Sequence, residues 1–389
     1  MTGGDAILVI NAGSSSLKFA LFDRSAEPAR IAGGEVERIG QDACLRASRA
    51  GEAAQESSLA PDAGQGEALD AALAWLDANV ADAKPAIAGH RVVHGGMDFV
   101  APTRIDDDVL DRLERLDPLA PLHQPYNVAA IRRLRERNPG LEHVACFDTA
   151  FHAHWPDRAR RFALPRALHD AGVRRYGFHG LSYEYLSGEV ARIAPDAKRC
   201  VFAHLGSGAS VCAVRDGVSL DCSLGLTALD GLPMGTRCGP LDPGVPFHLL
   251  RTTAMDAGAI EHMLYHDSGL AGVSGIGADM RDLLASDAPA AREAVDLFVY
   301  HCARQVAAMA VALGGLDALV FAGGIGENAA PVRAAVCALL ALLGVRVDAG
   351  ANARGEREIG AVDGTVRVLV IPTDEEVVIA RACRTFREG

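Results

Sequence analysis

Short apolar stretches and small-residue turns dominate the beginning of the chain. The pattern predicts strands over 7–10 and 17–22, joined by a turn over 12–16. The same layout returns near residue 200, with predicted strands over 200–204 and 211–215. Two such hairpins indicate two halves of a duplicated architecture, although hairpins with glycine turns are common and coincidence is the alternative.

The rest of the chain alternates between helical and strand periodicity. A predicted helix over 290–313 is followed by a strand over 318–322, a helix over 331–343, a strand over 366–371 and a closing helix. This alternation predicts an α/β protein with ligands at the carboxyl ends of its strands. Residues 52–66 are expected to form a loose surface excursion. Further predicted elements are helices over 68–80 and 128–137 and strands over 88–93 and 143–147.

The net charge of the chain limits the classes of molecule that it is expected to bind. Lys and Arg total 38 and Asp and Glu total 50, which gives a formal charge of −12 over 389 residues. A general nucleic-acid binder would show a basic face, so no nucleic-acid partner is expected. An anionic substrate would have to be met by locally placed Arg or Lys, because the overall field repels it.

Cysteine usage and hydropathy favour a cytoplasmic protein. The nine cysteines include no C-x-x-C pair, and their number is odd, so a zinc site or a disulfide framework is not expected. The N-terminal residues show no basic region followed by an apolar stretch, as a signal peptide would. The apolar run over 334–345 is too short to cross a bilayer, which needs about 20 residues, and no membrane partner is expected.

Three turns rich in Gly and Ser follow predicted strands: Asn11–Lys18, His204–Ser210 and Gly323–Asn328. Small residues let backbone N–H groups approach phosphate oxygens closely. Each turn alone is more often an ordinary tight turn, but the three together favour a nucleotide. The P-loop, the protein-kinase motifs and the dinucleotide fingerprint are all missing from the sequence, so the nucleotide requires another fold.

Charged side chains stand beside these turns. Arg91 lies in GHRVVHGG and Arg237 in GLPMGTRCG, where a guanidinium could bind a carboxylate or phosphate; a surface ion pair is the alternative. Asp148 and Glu375 follow predicted strands and could hold Mg²⁺ or water, whereas a helix cap and a solvated pair of carboxylates are the alternatives. His179 lies in RRYGFHG.

These segments resemble one family closely, the acetokinase family. The resemblance implies the duplicated RNase-H-like α/β fold of the actin/Hsp70/sugar kinase superfamily, with an active-site cleft between two domains. The expected domains are 1–149 with 376–389, and 150–375, the second carrying nucleotide-binding loops and a homodimer interface. The matching segments, in order, are VINAGSSSLKF, GHRVVHGG, APLHQPYN, CFDTAFH, RRYGFHG, AHLGSGAS, GLPMGTRCG, AGGIGEN and TDEEVVIAR.

The resemblance also implies an activity, the reversible reaction of ATP and acetate to give ADP and acetyl phosphate, and hence a place in acetyl-CoA biosynthesis. Asn11 and Glu375 match the magnesium ligands of the family, with Mn²⁺ as an alternative metal. A carboxylate acceptor carries no proton to remove, so Asp148 is expected to orient metal-bound water or Arg91 rather than act as a base.

The remaining roles follow from the same matches. Arg91 corresponds to the residue that holds the acetate carboxylate, Asp148 to the proposed acid/base or metal-water residue, and His179 and Arg237 to the transition-state stabilisers. The walls of the acyl pocket correspond to Val93, Leu122 and Phe178. The ATP-binding matches are Lys18, His204, Leu205, Gly206, Ser207, Gly208, Asp279, Met280, Arg281, Gly323, Gly324, Ile325, Gly326 and Glu327.

Four positions depart from the common pattern of the family. Ser207 replaces an Asn, Tyr183 replaces the second His of HGTSH, Pro240 lies beside the Arg237 loop, and Ala228 replaces a Pro that normally lines the acyl pocket. These departures leave acyl specificity open, and a kinase for propionate or another short-chain acid is the alternative enzyme. A nucleotide-gated binding protein is the alternative from another class, but it would not need Arg91, Arg237 and His179 in small-residue loops.

Overall fold

The computed structural model describes residues 6–386, which form two compact units. Unit 1 comprises 6–150 and 374–386, and unit 2 comprises 151–373. Asp374 caps the last helix, which belongs wholly to unit 1 and carries Glu375 with it. Residues 1–5 and 387–389, assigned above to the first domain, lie outside the described residues.

The described part of unit 1 is built on an eight-stranded sheet with the order β5-β4-β3-β2-β1-β6-β8-β7. Strand β1 pairs antiparallel with β2 and parallel with β6, and β6 pairs parallel with β8. All but one residue of β1 is buried, as expected for a central strand covered on both faces. The strands are β1 (Ala6–Ala12), β2 (Leu17–Phe22), β3 (Arg30–Glu37), β4 (Cys44–Arg49), β5 (Gln55–Ser58), β6 (Pro85–Val92), β7 (Thr103–Arg104) and β8 (Glu142–Phe147).

Helices pack on this sheet and enclose two hydrophobic clusters. Gly89 on β6 lets the last helix approach closely, because a Cβ at this position would lie 2.4 Å from Ile379 and 2.6 Å from Cys383. The helices, numbered along the whole chain, are α1 (Gln65–Asn79), α2 (Asp107–Glu114), α3 (Gln124–Arg137) and α15 (Glu375–Thr385).

The described sheet of unit 2 has five strands in the order β11-β10-β9-β12-β13. Strand β9 pairs antiparallel with β10 and parallel with β12, and β12 pairs parallel with β13. This order repeats the order β3-β2-β1-β6-β8 of unit 1 with the same strand directions. The duplication that the two hairpins suggested is therefore present. The strands are β9 (Arg199–Leu205), β10 (Ala209–Arg215), β11 (Val218–Cys222), β12 (Ala318–Ala322) and β13 (Arg367–Val370).

Most of unit 2 outside the sheet is helical. Its longest helix, α11 (Pro289–Leu313), packs against β9, β10 and β11. The other helices are α4 (Asp157–Arg160), α5 (Arg166–Asp170), α6 (Gly180–Ile193), α7 (Gly244–Thr252), α8 (Ala257–His266), α9 (Gly269–Ser274), α10 (Met280–Ala285), α12 (Gly323–Asn328), α13 (Ala330–Leu339) and α14 (Ala349–Arg354). Short 3₁₀ segments lie at Asp117–Leu119, Ala150–His152 and Ala341–Leu343.

Two sequence expectations about local structure were wrong. Residues 52–66 are not a loose excursion throughout, because Gln55–Ser58 pairs with β4 as an exposed edge strand. The GGIGEN segment is not a turn but the short helix α12. Its three glycines gave little helical signal, since glycine weakens a helix by roughly 1 kcal/mol relative to alanine. Among residues 6–386, no helix has the length and apolarity needed to cross a membrane.

Candidate active site

The candidate residues of unit 1 lie together at the carboxyl ends of three neighbouring strands. Asn11 is near the end of β1, Arg91 near the end of β6, and Asp148 directly after β8. Glu375 joins them from the first turn of α15, which packs on β1 and β6. The parallel pairing of the strands places their ends at one edge of the sheet, as the sequence predicted.

Arg91 and Asp148 form a two-pronged ion pair. The Nε of Arg91 donates to Oδ1 of Asp148 at 2.9 Å, and its Nη2 donates to Oδ2 at 2.6 Å. The side chain of Asp148 is only 1 % exposed, and that of Arg91 is 19 % exposed. Burial alone would lower the pKa of Arg91, but Asp148 and Glu375 more than offset this and raise it. Asp148 therefore orients a guanidinium that stays charged.

The third nitrogen of Arg91 faces the other two members of the cluster. Its Nη1 lies 3.5 Å from Oδ1 of Asn11 and 3.5 Å from Oε2 of Glu375. Burial raises the pKa of the Glu375 carboxyl above its ordinary value; Arg91 and Lys18 oppose this shift, and Asp148 adds to it. The guanidinium edge that Asp148 leaves open is thus the edge that meets an amide and a carboxylate.

Neighbouring carboxylates in TDEE have different partners. Asp374 caps α15 by accepting a hydrogen bond from Val377 N at 3.1 Å. Glu376 forms an ion pair with Arg30, whereas Glu375 turns toward Arg91. The alternative of a solvated carboxylate pair therefore does not describe Glu375.

The oxygens of Asn11 and Glu375 fit a hard cation by their chemistry. Mg²⁺ takes oxygen ligands and usually completes its shell with water and phosphate oxygens, so two protein oxygens suffice. Within residues 6–386, no group of three or more His, Cys, Asp or Glu side chains is placed to hold a metal ion. Lys18 lies opposite Asn11 in the β1–β2 register, and its ammonium is 3.9 Å from the Glu35 carboxylate.

The loop after β6 is held by two buried amides that the sequence analysis did not single out. Asn127 Oδ1 accepts from Val93 N at 3.0 Å, and Gln124 bonds to both the N–H and the C=O of His94 at 3.2 Å. Val93 is 6 % exposed, and Leu122 is half-buried just before these amides. Both amides lie in APLHQPYN, so the only signal was their place in a motif in which Leu122 alone had been assigned a role.

The candidate segments of unit 2 converge on the loop after β9. A Cβ on Gly206 would lie 3.9 Å from Gly324 N and from Nε2 of His204. A Cβ on Gly208 would lie 3.4 Å from Nε2 of His179 and 3.9 Å from Nη1 of Arg237. Both glycines therefore leave backbone open beside imidazole and guanidinium groups, an arrangement suited to an anion.

His179 is held at an unusual backbone position. It has φ 58° and ψ 24°, in the left-handed region, directly before α6. Its Nδ1 lies 2.8 Å from Oγ of Ser210, and its ring centroid is 4.4 Å from that of His204. Phe178, the preceding residue, is 1 % exposed. A non-glycine residue in this conformation persists only where its surroundings fix it.

The guanidinium of Arg237 is bonded to the backbone. Its Nη1 donates to the carbonyl of Ala228 at 2.9 Å. Ala228 is the position where the family commonly has Pro, so the departure lies on the segment that holds this guanidinium.

Some of the remaining candidate nucleotide-binding residues stabilise their own loop or helix, and others lie on the surface. Glu327 accepts from Gly323 N at 2.9 Å, so its carboxylate supports its own helix α12. Asp279 caps α10, and the Arg281 side chain and backbone lower the pKa of Asp279 to about 2. Gly235 N donates to Ser207 O at 3.3 Å, and a Cβ on Gly235 would lie 3.3 Å from Ala278. Leu205 and Met280 are buried, Ser207 is exposed, and Ile325 is half-buried.

Known proteins resemble this chain over its whole length. The model of the Acetokinase family matches residues 6–381. An acetate kinase of Rhodopseudomonas palustris (strain TIE-1) is 48 % identical over 394 residues, covering 99 % of this chain and 99 % of the relative. An acetate kinase of Rhizobium meliloti is 47 % identical over 384 residues, covering 97 % of each chain.

Solved structures agree with these relatives. A propionate kinase from Francisella tularensis subsp. tularensis SCHU S4 superposes with a TM-score of 0.92 at 36 % identity, covering 98 % of this chain and 100 % of that chain. The acetate kinase of Porphyromonas gingivalis superposes with a TM-score of 0.86 at 35 % identity, covering 98 % and 99 %.

The repeated strand order and these structural matches define a duplicated α/β kinase fold of the actin/Hsp70/sugar kinase type, which confirms the predicted fold class. The chain belongs to the acetokinase family. The family and the class of enzyme predicted from the sequence, a phosphoryl-transferring kinase, are thereby confirmed.

Proposed function

We propose that this chain catalyses the reversible, Mg²⁺-dependent transfer of the γ-phosphoryl group of ATP to acetate, giving acetyl phosphate and ADP. The relatives named acetate kinase support the substrates. The observation that carries the proposal is the two-pronged Arg91–Asp148 pair, which leaves Nη1 of Arg91 for a small carboxylate once Asn11 and Glu375 bind the metal. An acidic chain needs such a local positive group to bind an anion.

In unit 1, the proposed acetate carboxylate binds the Nη1 edge of Arg91, while Asp148 keeps the guanidinium charged and fixed. Acetate is already a competent nucleophile, so no side chain has to remove a proton from it. Alignment and charge neutralisation supply most of the catalysis in phosphoryl transfer. Val93 and Leu122 are the contacts that we propose this unit makes with the acyl methyl.

In unit 2, the proposed roles of His179 and Arg237 are to stabilise charge on the phosphoryl group during transfer. Their Nε2 and Nη1 atoms both lie near Gly208, which supports a shared target. The backbone around Gly206 and Gly208, together with 279–281 and 323–327, is proposed to bind the nucleotide. Removing one preorganised donor of this kind typically costs roughly 10²–10³-fold in turnover.

Asn11 and Glu375 are the proposed protein ligands of Mg²⁺, with Mn²⁺ as an alternative. An ion held by these two residues would supply positive charge that neutralises the phosphate groups. Lys18, on the strand beside Asn11, is proposed to contact the nucleotide phosphates. We further propose a cytoplasmic homodimer that associates through unit 2 and binds neither nucleic acid nor membranes.

The test is ATP-dependent formation of acetyl hydroxamate in the presence of acetate and hydroxylamine. The proposal predicts product that depends on ATP, acetate and Mg²⁺ together. Binding of ATP without formation of an acyl phosphate would contradict it and favour a nucleotide-gated binding protein. Propionate in place of acetate measures the alternative substrate in the same assay.

A further inference from the structure

A buried chain of hydroxyl groups ends on His179. Ser210, on β10, places its Oγ 2.8 Å from Nδ1 of His179, and the same Oγ is hydrogen-bonded to the hydroxyl of Tyr183. Ser210 and Tyr183 are both fully buried. Tyr183 lies one turn after His179 on α6, and its N–H donates to the His179 carbonyl at 3.0 Å. Tyr183, which replaces the family's second His, therefore contacts Ser210, the hydrogen-bond partner of the candidate catalytic residue His179.

The direction of these hydrogen bonds follows from counting protons. Burial raises the pKa of the Tyr183 phenol well above its ordinary value, so the phenol keeps its proton. In the described chain, Ser210 Oγ is the hydrogen-bond partner of the Tyr183 hydroxyl. A buried donor without an acceptor is costly, so Tyr183 donates to Ser210. Ser210 then has one proton left, and Nδ1 of His179 is the acceptor within reach.

We propose that Tyr183 and Ser210 are positioning residues that hold His179 as a neutral imidazole with its proton on Nε2. This inference rests on the proposed function, since it gives His179 its role as a donor to the transferring phosphoryl group. The Nε2 atom is the one beside Gly208. A proton on Nδ1 would point at the Ser210 hydroxyl and force it to turn away, leaving a buried proton without an acceptor.

The charges around His179 act in the same direction. Titratable and charged groups beside His179 include His204 from β9 and Arg237 from the loop at 231–239, and Tyr183 from its own helix reaches it through Ser210. A cationic neighbour disfavours a second positive charge, so Arg237 opposes protonation of His179. Buried thiols surround Tyr183 and stay neutral, because burial raises their pKa values: Cys212 well above its ordinary range, Cys222 to about 11 and Cys302 to about 12.

The test combines histidine ¹⁵N NMR with kinetics on the full chain. Loss of one resonance in His179→Gln assigns the His179 signal. The wild type is expected to show the Nε2–H tautomer at neutral pH. In Ser210→Ala, the midpoint of the His179 titration should move upward by about one pH unit. Tyr183→Phe should move it in the same direction by less, because the polarising donor is lost while Ser210 still donates.

The double variant distinguishes positioning from general destabilisation. Because Tyr183 acts through Ser210, adding Tyr183→Phe to Ser210→Ala should not move the His179 titration further. The kcat of Ser210→Ala should fall by roughly tenfold with little change in KM, since the donor acts in the transition state. Matched controls are Ser223→Ala, which removes a buried hydroxyl bonded to Val211 N, and Tyr185→Phe on the same helix. Neither control should move the His179 titration.

Three results would overturn the assignment. They are an Nδ1–H tautomer in the wild type, a charged His179 at neutral pH, and equal shifts in the variants and their controls. If Ser210→Ala does not fold, Tyr183→Phe still carries the NMR test. An Nε2–H tautomer in a protein that forms no acetyl phosphate would support the hydroxyl chain and overturn the proposed function instead.

Discussion

The two units repeat one strand order but carry different chemistry at equivalent strand ends. In unit 1, Asn11 on β1 lies opposite Lys18 on β2; in unit 2, His204 on β9 lies opposite Ser210 on β10. Unit 1 concentrates full charges that neutralise one another, as in the Arg91–Asp148 pair. Unit 2 uses glycines, imidazoles and hydroxyls around one backbone-anchored guanidinium. The shared scaffold therefore fixes where a site forms, and the side chains on it decide which ligand that site suits.

The largest expected effects come from removing the arginine of either unit. Arg91→Ala and Arg237→Ala should each lower kcat/KM by roughly 10²–10³-fold or more, because each loses a preorganised charge. Arg91→Ala should also lower the free energy of unfolding by about 3–5 kcal/mol, because it leaves Asp148 buried without its ion pair. Kinetics and thermal unfolding of both variants measure the contrast.

Two further variants sharpen this contrast between the units. Adding Asp148→Asn to Arg91→Ala should recover much of the stability and none of the activity, because the uncompensated charge is gone while the carboxylate contact stays absent. Arg133→Ala and Arg354→Ala, which remove exposed arginines from units 1 and 2, are the controls. Near-wild-type turnover in a folded Arg91→Ala or Arg237→Ala variant would refute the corresponding assignment.

A smaller effect is expected from the carboxylate next to Arg91. Glu375→Ala should raise the Mg²⁺ concentration needed for half-maximal activity by roughly tenfold or more, as loss of groups around a metal does. Glu376→Ala is the matched control, because its carboxylate pairs with Arg30 instead. Activity is measured as a function of Mg²⁺ concentration for both variants. Equal effects would show that Glu375 is not a ligand of the metal.

The sequence singled out Arg91, Asp148 and Glu375 because they lie at or after the ends of strongly apolar strands, whereas Asn11 came from the family resemblance. Arg91 and Asp148 each lie at the end of such a strand, and parallel strands bring their ends together. It could not predict the contact between Tyr183 and Ser210, which are 27 positions apart on different elements. The helix α12 was also missed, since its glycines carry no periodicity and its capping carboxylate, Glu327, becomes recognisable only in three dimensions.

As the pH is lowered, Glu375 in the unit 1 cluster should become protonated before glutamates with ordinary pKa values do. The pKa of Glu375 is raised by burial and by Asp148, so this carboxyl takes up a proton as the pH falls through a value above its ordinary one. The Mg²⁺ requirement should therefore rise as the pH is lowered toward that value. Asp148→Asn removes one source of the upward shift and should move the rise to lower pH. An Mg²⁺ requirement independent of pH down to the ordinary glutamate range would contradict the assignment.

The smallest expected effect concerns the contribution of Ala228, in unit 2, to acyl specificity. Ala228 lacks the ring of the Pro that the family commonly has there, and burying one methylene contributes roughly 0.8 kcal/mol. Pockets discriminate one methylene by about 1–3 kcal/mol, so kcat/KM for propionate should lie within roughly tenfold of that for acetate. Ala228→Pro should widen this gap while keeping the carbonyl that accepts from Arg237.

The Ala228 prediction requires that the added proline ring acts on the pocket without disturbing the hydrogen bond from Arg237 to the carbonyl of residue 228. Ala228→Ser keeps the carbonyl and adds no ring, so it should leave the acetate-to-propionate ratio unchanged. If Ala228→Pro lowers kcat/KM equally for both acids, the substitution has disturbed Arg237 through the hydrogen bond to its anchor rather than the wall of the pocket. An unchanged ratio and unchanged rates would mean that neighbours such as Phe178 already close the space, and that residue 228 does not set specificity.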